Sequence, residues 1–269
     1  MPDISSTVPA RPLIGRLSLC VKAARLIGHV LIGLLLMPTV PLIGKRSWKL
    51  VRWWHGRMLR VLNVTLEVEG EPVAGPTLIV ANHCSWLDIV VLGHVFNASF
   101  VSKAEIGAWP MVGAFARAAG TLFLSRGAGK TGETSAQIRS VLDEGRSVLF
   151  FPEGTTTFDP QPRRFHARLF AAAIEGDYPV MPVALRYCDE TTPEDMHHAL
   201  APWVNEAPIW PHFRDLFRVH DMRAQVRICA PIDPRGYDRR SLAEASYQAI
   251  SHRQMMAAAR LRQRRQRAA

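Results

Sequence analysis

"VANHCSWLDIVVLG", residues 80–93, is the stretch from which the fold is read. A short β-rich run, "TLIVAN" (77–82), delivers His83, and five positions later Asp88 stands at the head of a second apolar run. On one continuous α-helix, five residues at about 100° each would set the two side chains about 140° apart, out of reach. A turn must therefore intervene. If the helix begins near Ser85, His83 lies on the strand-to-helix turn and Asp88 in the first helical turn. From there the carboxylate can reach back to an imidazole nitrogen, fix its tautomer and stabilise its protonated form. Ser85-x-x-Asp88 is equally a capping-box pattern, in which both side chains satisfy free amides at a helix start. Taken alone, the stretch fits the cap better than a catalytic pair.

Outward from this point, strand-like and helical runs alternate. "VTLEVEG" (64–70) interleaves apolar and acidic residues as a half-buried strand does. Further strands are expected at 77–82, 99–103, 121–125, 147–152, 178–187 and 223–233, with helices at 86–96, 105–118, 131–144 and 164–175. Ile138, Val141 and Leu142 recur at helical spacing, and Gly145 supplies a stop. Such alternation predicts an α/β fold, a mixed sheet flanked by helices. Pro182, inside "VMPVAL" (180–185), implies an edge or bulge position. Residues 188–222 form a long polar, Trp- and Pro-rich insertion. The expected division is a basic, apolar, membrane-associating helical segment over 1–62, an α/β domain over 63–235, and a basic helical tail over 236–269.

The net charge of +10 on 269 residues is unevenly spread. Residues 1–60 hold ten Lys and Arg against Asp3 alone, residues 253–269 hold six Arg and no acid, and the middle is left at −5. Basic ends suit anionic lipid and nucleic acid about equally; the acidic body argues against nucleic acid. "RLIGHVLIGLLLMPTVPLIG" (25–44) is nearly free of charge and is flanked by basic residues. Its apolar length of about 18 residues is at the lower limit for a spanning helix. Pro38 and Pro41 interrupt it. "WKLVRWWHGRMLRVL" (48–62) then mixes Trp and Arg as a helix in a headgroup layer does, tryptophan inward and arginine outward. The expected location is the inner face of the cytoplasmic membrane, monotopic or with a short hairpin. Cys20, Cys84, Cys188 and Cys229 form no CxxC, which argues against a zinc site or disulfide framework. The histidines His197, His198, His212 and His220 lack metal-ligand spacing and read as surface or insertion residues, so no metal is expected.

Three further blocks accompany the His-x4-Asp pair: "KAEIGAWPMVGAFARAAGTLFLSR" (103–126), "FFPEGTTT" (150–157) and "VMPVAL" (180–185). In this order and spacing, from about residue 64 to 187, the sequence resembles the glycerolipid acyltransferase family. The resemblance implies that His83 is a general base, that Asp88 orients and charges it, and that an acceptor hydroxyl attacks the thioester of a fatty acyl donor directly. It further implies headgroup binding by Arg126 and by Glu153, Gly154 and Thr155, and it extends to Lys103, Glu105 and Pro182, for which structural roles serve as well. The donor would be acyl carrier protein or a coenzyme A thioester, used as substrate and not as cofactor. Consistent with direct transfer, no G-x-S-x-G elbow accompanies the histidine, and Cys84 is its immediate neighbour.

The expected reaction is acylation of 1-acyl-sn-glycerol-3-phosphate to phosphatidic acid. Two departures point elsewhere. Many members that use phosphate acceptors read Glu-Gly-Thr followed by Arg or Ser, whereas Thr155, Thr156 and Thr157 follow Gly154 here. Where a Phe-Lys pair often follows, this chain has Phe165-His166, with Arg163, Arg164 and Arg168 nearby. The Glu-Gly-Thr-Thr form looks more like the branch that acylates lyso-ornithine lipid. Thioester hydrolysis is the second enzyme reading, and a non-catalytic membrane-surface protein is the reading from another class.

Overall fold

Each β-rich run becomes a strand in a computed structural model of the chain, which describes residues 16–124, 131–159, 161–192, 197–204, 208–219 and 221–252. The strands are β1 (Val64–Glu69), β2 (Leu78–Ala81), β3 (Ala98–Lys103), β4 (Leu122–Leu124), β5 (Ser147–Phe150), β6 (Val180–Cys188) and β7 (Met222–Ile228). They form one sheet in the order β1-β7-β6-β2-β5-β3-β4. From β6 to β4 all neighbours run parallel, while β7 lies antiparallel to β6 and carries β1 parallel to itself. The sheet is therefore mixed, as the sequence implies. β2 is buried at every position because helices cover both its faces, whereas β7 alternates buried and half-buried residues.

The helices are α1 (Arg16–Leu36), α2 (Ser47–Val61), α3 (Leu87–Val95), α4 (Ala104–Gly107), α5 (Val112–Ala118), α6 (Thr131–Asp143), α7 (Ala171–Gly176), α8 (Ile209–Leu216) and α9, residues 239–252. Leu59 of α2, Leu87 and Val91 of α3 and Leu216 of α8 meet Ile79, Ala81, Leu185 and Tyr187 on one face of the sheet. Ile138 and Leu142 of α6, Ala172 of α7 and Leu242 and Ile250 of α9 meet Leu78, Val80, Val148 and Phe150 on the other. Successive residues of β2 thus serve opposite cores, as strand geometry requires. Each of the buried Leu, Ile and Val side chains among these contributes roughly 2 kcal/mol.

Four expectations change. The helix expected over 105–118 is two short helices separated by Ala108-Trp109-Pro110-Met111. Pro110 cannot donate to a helical carbonyl, and Met111 takes a left-handed φ of 59°. The helix expected over 164–175 is a 3₁₀ turn at Ala167–Phe170 followed by α7. Pro182 lies in an interior strand, between β2 and β7, so the edge alternative fails, while the bulge alternative holds: three steps along 180–183 face four along 228–232. It is tolerated because its side of β6 faces the point where the β7 ladder opens, between the pairs Val183–Ile228 and Val180–Ile232. Finally, Trp53 on α2 is exposed, with the Arg57 guanidinium over its ring, so tryptophan and arginine share that face.

α1 is inverted relative to a helix of a water-soluble protein. Its buried face carries Lys22 and His29; its exposed face carries Ile27, Leu31 and Leu35, the last 77% exposed. Lys22 Nζ donates to the carbonyls of Phe217 (2.8 Å) and Val219 (3.2 Å), just past α8. His29 stacks on Trp54, which stacks in turn on Phe115 of α5. Among the described residues, one helical segment, Cys20–Thr39, is long and apolar enough to cross a membrane by length and composition.

Candidate active site

In a parallel block all strands end at the same edge, so β2 delivers His83, β5 delivers Glu153 and β3 delivers Lys103 to one rim of the sheet. Asn82 starts the turn. Its side chain donates to Leu185 O (2.9 Å) and accepts from Leu185 N (2.8 Å), extending the β2–β6 ladder by one side-chain rung. The His83 backbone is then held from the β5 side: its N–H donates to Glu153 Oε1 at 2.7 Å, and its carbonyl accepts the Thr157 N–H at 2.9 Å. The imidazole stacks on Phe151, with ring centroids 3.9 Å apart.

Asp88 is fully buried and surrounded by donors. Oδ2 accepts from His83 Nδ1 (2.7 Å), Cys84 N (2.8 Å) and Ser85 N (3.0 Å). Oδ1 accepts from the Tyr187 hydroxyl at 2.8 Å and weakly from the Cys84 thiol at 3.6 Å. Ser85 Oγ accepts the Leu87 N–H at 3.3 Å. The carboxylate that accepts the amides of the turn is thus also the one that meets the imidazole, although the N-cap of α3 is Trp86, which makes no side-chain cap hydrogen bond, and not Ser85. Because an ionised carboxylate only accepts, the His83 proton belongs on Nδ1, leaving the Nε2 lone pair free. The His83 side chain is 17% exposed. An acceptor-capable nitrogen at a partly open rim is equipped to take a proton from a hydroxyl placed against it.

Glu153 is buried, and both its oxygens are occupied by backbone amides, His83 N at 2.7 Å and Arg163 N at 2.8 Å. Burial pushes its carboxyl up to about 7, the nearby Asp88 charge adds to the rise, and the two amide donors oppose it. Gly154 is exposed at a φ of +68°, a conformation that favours glycine, and an added Cβ there would meet the His166 ring at 3.4 Å. Thr155 is half-buried beside it. Lys103 and Glu105 are exposed at the end of β3 and the start of α4; no hydrogen bond or ion pair among the described residues joins them to His83, Asp88 or Glu153. Pro182 pairs with Val80, three residues before His83. Arg126 lies outside the described residues. Burial and the Asp88 charge push the Cys84 thiol up, so it is unsuited to act as a nucleophile. Among the described residues, no group of three His, Cys, Asp or Glu side chains is placed to hold a metal ion.

Sequence reasoning missed Tyr187 and His197. His197 is buried, not superficial: its Nδ1 accepts the Tyr187 N–H at 3.3 Å. His212 is half-buried and accepts from Trp86 Nε1 at 3.1 Å. The insertion that carries both covers the active-site turn, with Trp203 N donating to Cys84 O at 2.8 Å.

A family model described as Acyltransferase matches residues 63–186. A lyso-ornithine lipid O-acyltransferase from Pseudomonas aeruginosa is 38% identical over 243 residues, covering 87% of this chain and 93% of that protein. A 1-acyl-sn-glycerol-3-phosphate acyltransferase from Neisseria meningitidis is 39% identical over 138 residues, 50% of this chain and 54% of that protein. In three dimensions the chain is similar to the crystal structure of a 1-acyl-sn-glycerophosphate acyltransferase from Thermotoga maritima. The TM-score is 0.68 at 20% identity, over 89% of this chain and 94% of that one, a likeness of fold.

Proposed function

The chain belongs to the acyltransferase family, and from that premise we propose that it moves a fatty acyl group from a thioester to a lysolipid hydroxyl at a membrane surface. The observation that carries the reading is the 2.7 Å contact of His83 Nδ1 with buried Asp88, which leaves Nε2 as the free base. In this mechanism Nε2 accepts the proton as the acceptor oxygen attacks the thioester carbonyl. The tetrahedral intermediate collapses with cleavage of the C–S bond, and the departing thiolate takes the proton back from the imidazolium. Asp88 keeps the correct tautomer and stabilises the cation between those events. A positioned base of this kind supplies roughly 10² to 10⁴ in rate. The donor is acyl carrier protein or a coenzyme A thioester.

For the acceptor, the lyso-ornithine reading has the better support. A relative matched along 93% of its length is named for that lipid, Thr156 stands where many phosphate-acceptor members carry Arg or Ser, and His166 stands where a lysine often follows. Lysophosphatidate is the second reading, favoured by the Neisseria relative and by the exposed cations Arg163 and Arg164 beside Glu153. In both, exposed Gly154 and half-buried Thr155 form the rim available to a headgroup, and Glu153 supports that rim from below. The apolar outer face of α1 holds the enzyme to the cytoplasmic face of the inner membrane.

Purified full-length enzyme, labelled acyl thioesters of both donor types and a panel of the two lysolipids form the test. His83→Ala is expected to lose at least about 10³-fold in transfer while keeping its thermal midpoint and vesicle binding. Turnover by that variant at the wild-type rate would overturn the base assignment. Release of free fatty acid at equal rates with and without lysolipid would favour hydrolysis.

A further inference from the structure

We infer that Tyr187 is a positioning residue of the catalytic pair, setting the orientation and charge of the Asp88 carboxylate that His83 leans on; this rests on the general-base reading above. The two oxygens of Asp88 are held in different ways. Oδ2 is fixed by three N–H groups, all from residues 83–85 of its own turn. Oδ1 has no local backbone donor: it meets the Tyr187 hydroxyl at 2.8 Å and the far weaker Cys84 thiol. Compensation of the charge on the second oxygen therefore falls mainly to one residue 99 positions away in sequence, which also gives the carboxylate a second anchor against rotation about its last bond.

The phenol is placed rigidly enough to do this. Val183 is paired with Ala81, and the Asn82 side chain closes both hydrogen bonds with the Leu185 backbone. Tyr187 follows two residues later, on the same face of β6 as Leu185. Its own backbone is held on both sides, its N–H by His197 Nδ1 and its carbonyl by the His198 N–H. The hydroxyl lies in the buried interior, where Asp88 is its hydrogen-bond partner. Burial and the neighbouring Asp88 charge hold the phenol in its protonated, donating form.

A donor to Asp88 draws negative charge away from the imidazole. Removing it exposes His83 to the full carboxylate charge, makes the imidazole more basic and loosens its orientation. In Tyr187→Phe full-length enzyme, kcat for acyl transfer to lysolipid is expected to fall about tenfold, the loss of one hydrogen bond to a charged group. The acid limb of the kcat/KM profile should rise by about half to one pH unit, with KM for the acceptor unchanged. Incorporation of 3-fluorotyrosine at position 187 keeps the shape and strengthens donation, so the same limb should move down; this second variant decides the matter if the phenylalanine protein does not fold. A profile unmoved by both changes, or a fall in thermal midpoint alone, would overturn the inference and leave Tyr187 as core filling. His83→Ala run in parallel separates the two claims: an inactive His83→Ala beside a silent Tyr187→Phe sinks only the tyrosine, whereas an active His83→Ala sinks the base reading and this inference with it.

Discussion

Asp88 and Glu153 are the two buried carboxylates of the rim, and they hold different parts of the same histidine. Asp88 takes the ring; Glu153 takes the backbone amide and ties it to Arg163 of the following loop. Glu153 binds its proton near pH 7 in the folded protein, against 4.5 ordinarily. Between those values the folded state keeps a proton that the unfolded state has released, so stability falls as pH rises through that window and the loss is complete above it. The size is on the order of 3 kcal/mol. The thermal midpoint of the wild type should therefore drop between pH 5 and 7 relative to Glu153→Gln, in which this titration is absent. Parallel midpoint curves for the two proteins would refute it. The contact between His83 and Asp88 was legible only in part: helical geometry required a break between them if they were to meet, but the stretch alone fitted a cap better, and it was the downstream blocks with their family resemblance that singled the pair out. Glu153 as a strut and Tyr187 as a donor were not legible, since both contacts depend on which strands lie beside β2, and spacing along the chain does not encode that.

Among the elements, α2 crosses close to α3, the helix that carries Asp88. The crossing is built from two reciprocal notches: His55 of α2 seats over Gly93 of α3, and His94 of α3 seats over Gly56 of α2. A Cβ on Gly93 would come within 2.5 Å of the His55 ring, and one on Gly56 within 2.6 Å of His94. Gly93→Ala is expected to cost about 1–3 kcal/mol by overpacking, read as a lower thermal midpoint. Gly28→Ala, with open space around its Cβ, should leave the midpoint unchanged or slightly raised. Equal effects would mean the notch is not packed as described. Element type was legible where apolar periodicity was unbroken, as in α6. It failed at 105–118, where Pro110 and a left-handed Met111 outweighed helical spacing; at Pro182 it left edge and bulge open, because the extra residue that makes the bulge lies about 50 residues downstream.

For the whole molecule, the inverted polarity of α1 and the structural role of α2 change how membrane attachment should be tested. Removing residues 1–60 would strip Met58 and Leu59 from the core and exchange an attachment question for a folding one. The cleaner variant replaces Ile27, Leu31 and Leu35 with serine, which leaves Lys22 and His29 in place. Each exposed side chain is worth roughly 1.5–3 kcal/mol when buried in lipid, so partition onto anionic vesicles should fall by more than about 10²-fold. An unchanged sedimenting fraction would assign attachment to another part of the chain.

Lys22 gives this attachment a kinetic side. Its two hydrogen bonds to Phe217 and Val219 lock α1 to the insertion whose Trp203 and His212 lie against the active-site turn. An enzyme fastened in this way meets its acceptor by diffusion in two dimensions. The concentration it responds to is then the mole fraction of lysolipid in the surface, not moles per litre of suspension. Adding inert phospholipid at constant total acceptor should slow the reaction, as surface dilution demands.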